Sequence, residues 1–295
     1  MNPISQFAPA KINLFLAITG RRADGFHDLL SVAAPLTWGD MLHVQTADTD
    51  SDLLECDQPG IPLDDTNLVL RAARLFRQAT GWAPPVRFRL QKQIPAGAGL
   101  GGGSSDGTAA LLCLNRLAGH PLSLGELAAL AAKLGSDCAL FLENAPCVMR
   151  GRGELIQPLP SQAAARLRGR RLLVFKPNFG ISTPWAYGQM VKAAPSSYLP
   201  AEEAERRLEA WIGTPQAPAE ELLFNNMEAV AFEKYVALPT LLNQLRETFG
   251  LAVGMSGSGS ACFALLDEKV APGAVRERIQ AAWGTAAFVV ETRIG

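Results

Sequence analysis

Histidine is scarce in this chain of 295 residues: His27, His43 and His120 are the only three, and they lie far apart. That excludes the imidazole clusters most zinc sites use, and no protein ligand set for a metal is expected. The five cysteines, Cys56, Cys113, Cys138, Cys147 and Cys262, are scattered and lack any C-x-x-C spacing. An odd, unpatterned set argues against a disulfide framework and for reduced thiols in the core of a cytoplasmic protein. Neither sign of charge is in excess, since 27 basic and 28 acidic residues leave a net charge of −1 without a basic stripe. Nucleic acid and anionic membrane are disfavoured as partners. Long apolar runs are missing too: Lys11 and Asn13 interrupt the first hydrophobic stretch. No signal peptide or spanning helix is read.

What the chain has in one place is glycine. Residues 95–105 read Pro-Ala-Gly-Ala-Gly-Leu-Gly-Gly-Gly-Ser-Ser. Each glycine costs backbone entropy on ordering, so such a run implies a backbone that must stay bare or take positive φ. Upstream, Val86, Phe88 and Leu90 alternate with Arg87, Arg89 and Gln91, the period of a half-buried strand. Downstream, Ser104, Ser105 and Asp106 are good N-cap residues for a helix over 107–117. Strand, glycine loop and helix start together form a phosphate cradle, because unpaired N–H groups and the positive helix end favour an anion.

The kind of cradle narrows by exclusion. Gly97, Gly99 and Gly102 fit G-x-G-x-x-G, but a dinucleotide unit should continue into a second strand. Here a second helix follows, opened by a capping box from Ser123 to Glu126 and stopped by Gly135. A Walker A loop needs lysine where Gly103 precedes Ser104. The His-Arg-Asp and Asp-Phe-Gly signatures of protein kinases are missing.

Periodicity predicts strands over 10–18, 29–36 and 41–46 and a helix over 67–78, capped by Asp65 or Thr66 and stopped by Gly81. Composition shifts to Pro, Gln, Ala and Arg over 157–170, between strands at 147–149 and 171–175. The domain boundary is placed there, dividing 1–160 from 161–295. In the second part, strands over 171–175, 251–253, 261–266 and 286–291, with a helix over 272–283, suit a split βαβ, ferredoxin-like plan. The fold class is α+β.

Lys11 and Asn13 are two apart on the first strand and so share a face, at the mouth of a run apolar on both faces. They are candidates to line a cleft. Asp137 follows Gly135 and either caps the next helix or serves as a base, accepting an alcohol proton beside a lysine. The small-residue loop 254–260, Gly-Met-Ser-Gly-Ser-Gly-Ser, reads either as a series of turns or as a second anion nest.

Together these segments resemble the GHMP small-molecule kinases. Residues 95–105 look like the central ATP loop of that superfamily, and 254–260 like its C-terminal glycine motif. Residues 8–16 and 22–29, with 67–75, 134–137 and 224–228, are similar to the branch of 4-diphosphocytidyl-2-C-methyl-D-erythritol kinases. The resemblance implies two domains, an N-terminal one like ribosomal protein S5 domain 2 that binds ATP, and a ferredoxin-like C-terminal one on the substrate side. It also implies transfer of the ATP γ-phosphoryl group, usually with Mg2+, to the 2-hydroxyl of a cytidine-diphosphate sugar alcohol in non-mevalonate isoprenoid synthesis.

Carried over position by position, Asp137 is the general base and Lys11 its charge partner. Asn13, Phe26, His27, Thr183 and Tyr187 bind substrate, with His27 on the cytosine edge and Phe26 and Tyr187 on its faces. Asn67 and Lys92 line the adenine site, and Pro95, Ala96, Gly97, Ala98, Gly99, Leu100, Gly101, Gly102, Gly103, Ser104 and Ser105 hold the phosphates. The chain departs from the family pattern at three places. Phe26 stands where tyrosine is usual, Cys138-Ala139-Leu140 where Val-Pro-Phe is, and Asn226 where aspartate often is. The alternatives are a GHMP kinase for another small alcohol, such as homoserine or a mevalonate-type substrate, and an inactive GHMP-fold binding protein.

Overall fold

A computed structural model describes residues 3–143 and 145–295. The chain begins with β1 (Ile4–Arg21), β2 (His27–Thr46), β3 (Leu53–Cys56), α1 (Leu68–Thr80), β4 (Val86–Gln91), α2 (Gly102–Leu117) and α3 (Leu124–Leu134). A 3-10 turn at Cys138–Leu142 leads to β5 (Cys147–Arg150), β6 (Leu155–Pro158), α4 (Ser161–Ala165), β7 (Arg171–Lys176), α5 (Thr183–Lys192) and α6 (Ala201–Gly213). The last stretch holds β8 (Phe224–Asn225), α7 (Met227–Lys234), α8 (Ala237–Phe249), β9 (Val253–Met255), β10 (Cys262–Leu265), α9 (Pro272–Trp283) and β11 (Phe288–Arg293). Two compact units result. One draws on Met1–Ala10, Trp38–Ala96 and Gly101–Asn144, the other on Lys11–Thr37, Gly97–Leu100 and Ala145–Gly295.

In the first unit, β4 pairs antiparallel with residues 41–46 of β2 and parallel with β3. Its Val86, Phe88 and Leu90 are buried and the arginines between them exposed, as the alternation predicts. Helices α1, α2 and α3 pack on one another. The capping box of α3 is formed, with Ser123 and Glu126 bonding each other's backbone N–H. The cap of α1 is Asn67, whose side chain accepts from Val69 N at 2.9 Å, in place of the expected Asp65 or Thr66.

Helix α2 begins at Gly102, five residues before the expected start at Gly107, and its N-cap is Gly101 in the left-handed region. Serines and an aspartate read as caps from local pattern; here they lie inside the helix. Ser105 and Asp106 are buried within a helix that is covered on most sides.

In the second unit, β7, β9, β10 and β11 form a four-stranded antiparallel sheet in the order β11-β7-β10-β9. With helices between β7 and β9 and α9 between β10 and β11, this is the expected ferredoxin-like split βαβ. Its core includes Leu173, Phe175, Leu241, Leu245, Val275 and Ile279. Residues 15 and 16 of β1 pair parallel with β8, residues 31–33 of β2 pair with β5, and β5 pairs with β6. Among the described residues, no helix is long and apolar enough to cross a membrane. All five cysteines are free, and four are buried.

Two predicted strands, at 29–36 and 41–46, are one continuous strand, β2. Gly39 sits in the strand where the chain passes against residues 8 and 9. A Cβ there would lie 2.2 Å from Ala8 O and 2.6 Å from Pro9 Cα. Strands β3 and β6, four residues each, are too short to carry a period and were not anticipated.

Gly39→Ala should therefore lower the unfolding free energy by about 1–3 kcal/mol, the usual cost of overpacking a closed site. Gly20→Ala, where nothing lies within 4 Å of the added Cβ, should stay within about 0.5 kcal/mol of wild type. Urea unfolding of both variants is the measurement, and equal stability would show that β1 can move aside.

Candidate active site

The glycine loop is anchored through its carbonyls. Ala98 O accepts from Ala261 N at 3.0 Å, Gly99 O from Ser256 Oγ at 3.0 Å and Leu100 O from Lys11 N at 3.0 Å. Carbonyls pinned on one side suit a loop that offers N–H groups to an anion. The left-handed angles fall at Gly97, Gly99 and Gly101, with φ of 61°, 76° and 73°. They do not fall at Gly102 and Gly103, which open α2. Gly99 is required twice over, by its φ and because a Cβ would lie 2.3 Å from Ser256 O. Gly101 starts a helix that has no side-chain cap among the described residues, leaving the first-turn N–H groups to other partners.

Lys11 and Asn13 do share a face of β1, and both are buried. Lys11 Nζ donates to Asn13 Oδ1 at 2.6 Å, and Asn13 Nδ2 donates to Ser31 Oγ at 2.9 Å. Ser31 Oγ passes its own proton to Phe15 O at 2.6 Å. The Asn13 amide is thus held at both ends, which fixes its orientation.

The same unit places His27 beside Tyr187, with ring centroids 4.7 Å apart, and His27 Nε2 3.2 Å from the Tyr198 hydroxyl. Burial, then the charge of Arg21, pushes the His27 pKa down, so its imidazole is neutral at neutral pH. A neutral ring can both donate and accept. Phe26 is 52% exposed, and the Arg152 guanidinium lies 4.6 Å from its centroid. Thr183, the first residue of α5, hydrogen-bonds Ser258 Oγ at 2.9 Å.

In the first unit, Asp137 occupies the N-cap position of the 3-10 turn with helical dihedrals, and its side chain is not spent on capping that turn. Asn67 uses its amide as a helix cap and donates from Nδ2 to Pro62 O at 2.7 Å. Lys92 is 8% exposed and its ammonium lies between two carboxylates, donating to Asp106 at 2.8 Å and to Asp40. Asp40 also accepts from Gln93 N at 2.6 Å and Ile94 N at 2.8 Å. One cation cannot neutralise two buried acids. Burial pushes the Asp106 pKa up to about 7, the attraction of Lys92 notwithstanding, and Asp40 adds to the rise. For Lys92, burial works against the charge, but Asp106 and Asp40 outweigh it and raise the pKa. Asp106 Oδ1 and Ser105 Oγ are buried without a hydrogen-bond partner among the described residues.

Sequence reasoning did not find Asp40 or Tyr198, and it read Ser256 only as one residue of the loop 254–260. Their partners are distant in the chain: Tyr198 meets His27 across 171 positions and Ser256 meets Asn13 across 243. No local pattern signals such pairs. Asp106 was visible only as a supposed cap.

Comparison with known proteins bears on both units. Residues 67–151 match the family described as GHMP kinases N terminal domain, and residues 212–285 match GHMP kinases C terminal. The 4-diphosphocytidyl-2-C-methyl-D-erythritol kinase of Prochlorococcus marinus strain MIT 9303 is 38% identical over 291 residues, covering 96% of this chain and 90% of that protein. The enzyme of that name from Methylacidiphilum infernorum is 37% identical over 272 residues, covering 91% of this chain and 88% of its own. A crystal structure of a 4-(cytidine 5'-diphospho)-2C-methyl-D-erythritol kinase superposes with a TM-score of 0.77 at 35% identity, covering 99% of this chain and 100% of that one. The homoserine kinase of Cytophaga hutchinsonii shares the fold, with a TM-score of 0.76 at 16% identity over 100% of this chain and 95% of its own.

The buried acid pair makes stability depend on pH. A carboxyl whose pKa is raised by folding contributes stability that is complete below about pH 4 and is lost as pH rises through the folded value, here about 7. Between about pH 6 and pH 8 the loss should be about 1 kcal/mol. Asp106→Asn, which mimics the protonated carboxyl, should flatten that segment of the stability profile in denaturant titrations. The same slope in both proteins would assign the dependence to another group.

Proposed function

Since the chain belongs to the GHMP kinases, and among them to the 4-diphosphocytidyl-2-C-methyl-D-erythritol kinases, we propose that it acts on the substrate that name states. It transfers the γ-phosphoryl group of ATP to the 2-hydroxyl of 4-diphosphocytidyl-2-C-methyl-D-erythritol, a step of non-mevalonate isoprenoid synthesis. The observation that carries this reading is 38% identity across 96% of the chain to a kinase of that name. The pinned glycine loop running into the start of α2 supports ATP as co-substrate.

Phosphoryl transfer needs positioning and charge neutralisation more than covalent chemistry. Asp137 takes the proton of the attacking hydroxyl, and Lys11 neutralises negative charge as it develops. Asn13, its amide locked by Lys11 and Ser31, holds the hydroxyl in line. The neutral His27 reads the cytosine edge, with Tyr187 and Phe26 supplying ring faces and Thr183 a hydroxyl. Asn67 and Lys92 border the adenine. Lys92 does so with its charge already balanced by Asp40 and Asp106, so it serves by shape and not as a free cation.

Residues 95–105 hold the phosphates, through backbone N–H groups and the α2 dipole. Mg2+ would accompany ATP. Among the described residues no group of three or more His, Cys, Asp or Glu could cage a metal, and Mg2+ is commonly held by nucleotide phosphates with few protein ligands. We also propose a division near residue 160 into N- and C-terminal kinase domains, which the family matches to 67–151 and 212–285 flank. A cytoplasmic location is supported by the five free thiols.

Asp137→Asn should lower kcat by about 10² to 10⁴, the usual worth of a general base, with ATP affinity by isothermal titration little changed. Near-normal turnover would remove Asp137 from the mechanism.

ADP release, coupled to a spectrophotometric readout, should be seen with the cytidyl alcohol and not with methylerythritol phosphate, homoserine or mevalonate. Base stacking is typically worth about 1–3 kcal/mol, so Tyr187→Ala should raise KM for the cytidyl substrate roughly ten- to a hundredfold and leave KM for ATP unchanged. Equal loss for both substrates, or turnover of the uncytidylated alcohol as good as that of the cytidyl form, would sink the cytidine assignment.

A further inference from the structure

Two side chains outside the proposed substrate contacts hold the small-residue loop 254–260. Asn225, at the end of β8, is buried and donates from Nδ2 to both Met255 O and Gly257 O, each at 2.9 Å. Its Oδ1 accepts from Met227 N at 3.0 Å, so both ends of the amide are engaged. The two carbonyls it grips flank Ser256. From α7, Glu228 Oε1 holds the same segment by accepting from Met255 N at 2.8 Å.

Ser256 is fully buried, and its hydroxyl does two things at once. It donates to Gly99 O at 3.0 Å and accepts from Asn13 N at 3.3 Å. A hydroxyl has one proton to give, so a single rotamer must satisfy both partners. The approach is close enough to demand glycine on either side. A Cβ on Gly257 would lie 3.3 Å from Gly99 O and 3.5 Å from Asn13 Oδ1, and Gly257 itself takes φ 59°.

We propose that Asn225 and Ser256 are a positioning pair. Asn225 clamps the backbone on both sides of Ser256, and Ser256 through its hydroxyl sets Gly99 of the phosphate loop and Asn13 of the substrate end relative to each other. Neither residue touches substrate in this scheme. Asn225 acts through Ser256, and Ser256 acts through Gly99 and Asn13. This rests on the assignment of Asn13 to the alcohol and of the loop to ATP. A tie that served stability alone would shift the melting temperature and leave kinetics intact. A positioning pair splits the kinetic constants: the ATP KM rises as Gly99 is released, and kcat falls as Asn13 drifts.

The test uses the full chain with Ser256→Ala, Asn225→Ala and the double variant, each measured for KM of ATP, kcat with the cytidyl alcohol, and thermal melting by circular dichroism. Each single variant should lower kcat/KM for ATP by about three- to tenfold, as expected for one lost hydrogen bond. The double variant should be no worse than the poorer single one, because both act through one contact. Fully additive losses would overturn the pairing. So would wild-type kinetics in a folded Ser256→Ala protein, and that variant decides alone if Asn225→Ala does not fold. Asn13→Ala separates the two levels of inference. Unchanged kinetics there would overturn the site assignment itself, whereas impaired Asn13→Ala beside normal Ser256→Ala would overturn the positioning pair only.

Discussion

The close approach of two backbone segments, 97–100 and 254–260, is the constraint on which the second unit's functional end depends. Three successive carbonyls of the first segment are held by Ala261 N, Ser256 Oγ and Lys11 N. With its carbonyls occupied, the loop keeps a shape in which consecutive N–H groups can face an anion. At the crossing a Cβ on Gly99 would lie 2.3 Å from Ser256 O and one on Gly257 3.3 Å from Gly99 O, which explains why glycine stands at those two positions. The entropic cost of so many glycines is offset by the fixed hydrogen bonds that replace freedom with a single conformation. Lys11 takes part twice, with its backbone on the loop and its ammonium on Asn13.

A different device orders the first unit. Asp40, Lys92 and Asp106 are charged side chains withdrawn almost wholly from water, where unpaired charges are expensive and one ammonium between two carboxylates is only half balanced. The outcome is a carboxyl that titrates near neutrality. Structurally, the cluster joins β2, the end of β4 and the first turns of α2, because Asp40 also caps the N–H groups of Gln93 and Ile94. Gly102 completes it: a Cβ there would sit 3.0 Å from Ile94 Cγ2 and 3.1 Å from Lys92 Nζ. The glycine of the loop and the salt-bridged lysine are parts of one packing problem.

Much of this molecule was legible in the chain. The alternation of Val86, Phe88 and Leu90, the capping box of Ser123 and Glu126, and the glycine stops at 81 and 135 are short-range signals. They depend on local sterics and on which side chain reaches which nearby N–H, so a window of a few residues contains the answer. The ferredoxin-like order was readable for a related reason, since the succession of strands and helices leaves few ways to close an antiparallel sheet. Lys11 and Asn13 could be placed on one face by the two-residue period alone.

Tertiary structure decided the rest, where partners lie far apart in sequence. The start of α2 could not be found from caps, because burial on most sides lets glycines open a helix that propensity would begin later. The union of two expected strands into β2 rests on partners distant in sequence, since residues 41–46 pair with β4 and residues 31–33 with β5. The resemblance puts Lys92 at the adenine site, but that its ammonium is held by Asp40 and Asp106, 52 and 14 positions away, is visible only in the fold. The sequence by itself determined the periods, the caps and the places where the backbone had to be bare. Which groups satisfy one another's charges and hydrogen bonds was decided only by folding, because burial forces each polar atom to find a partner wherever the chain happens to bring one.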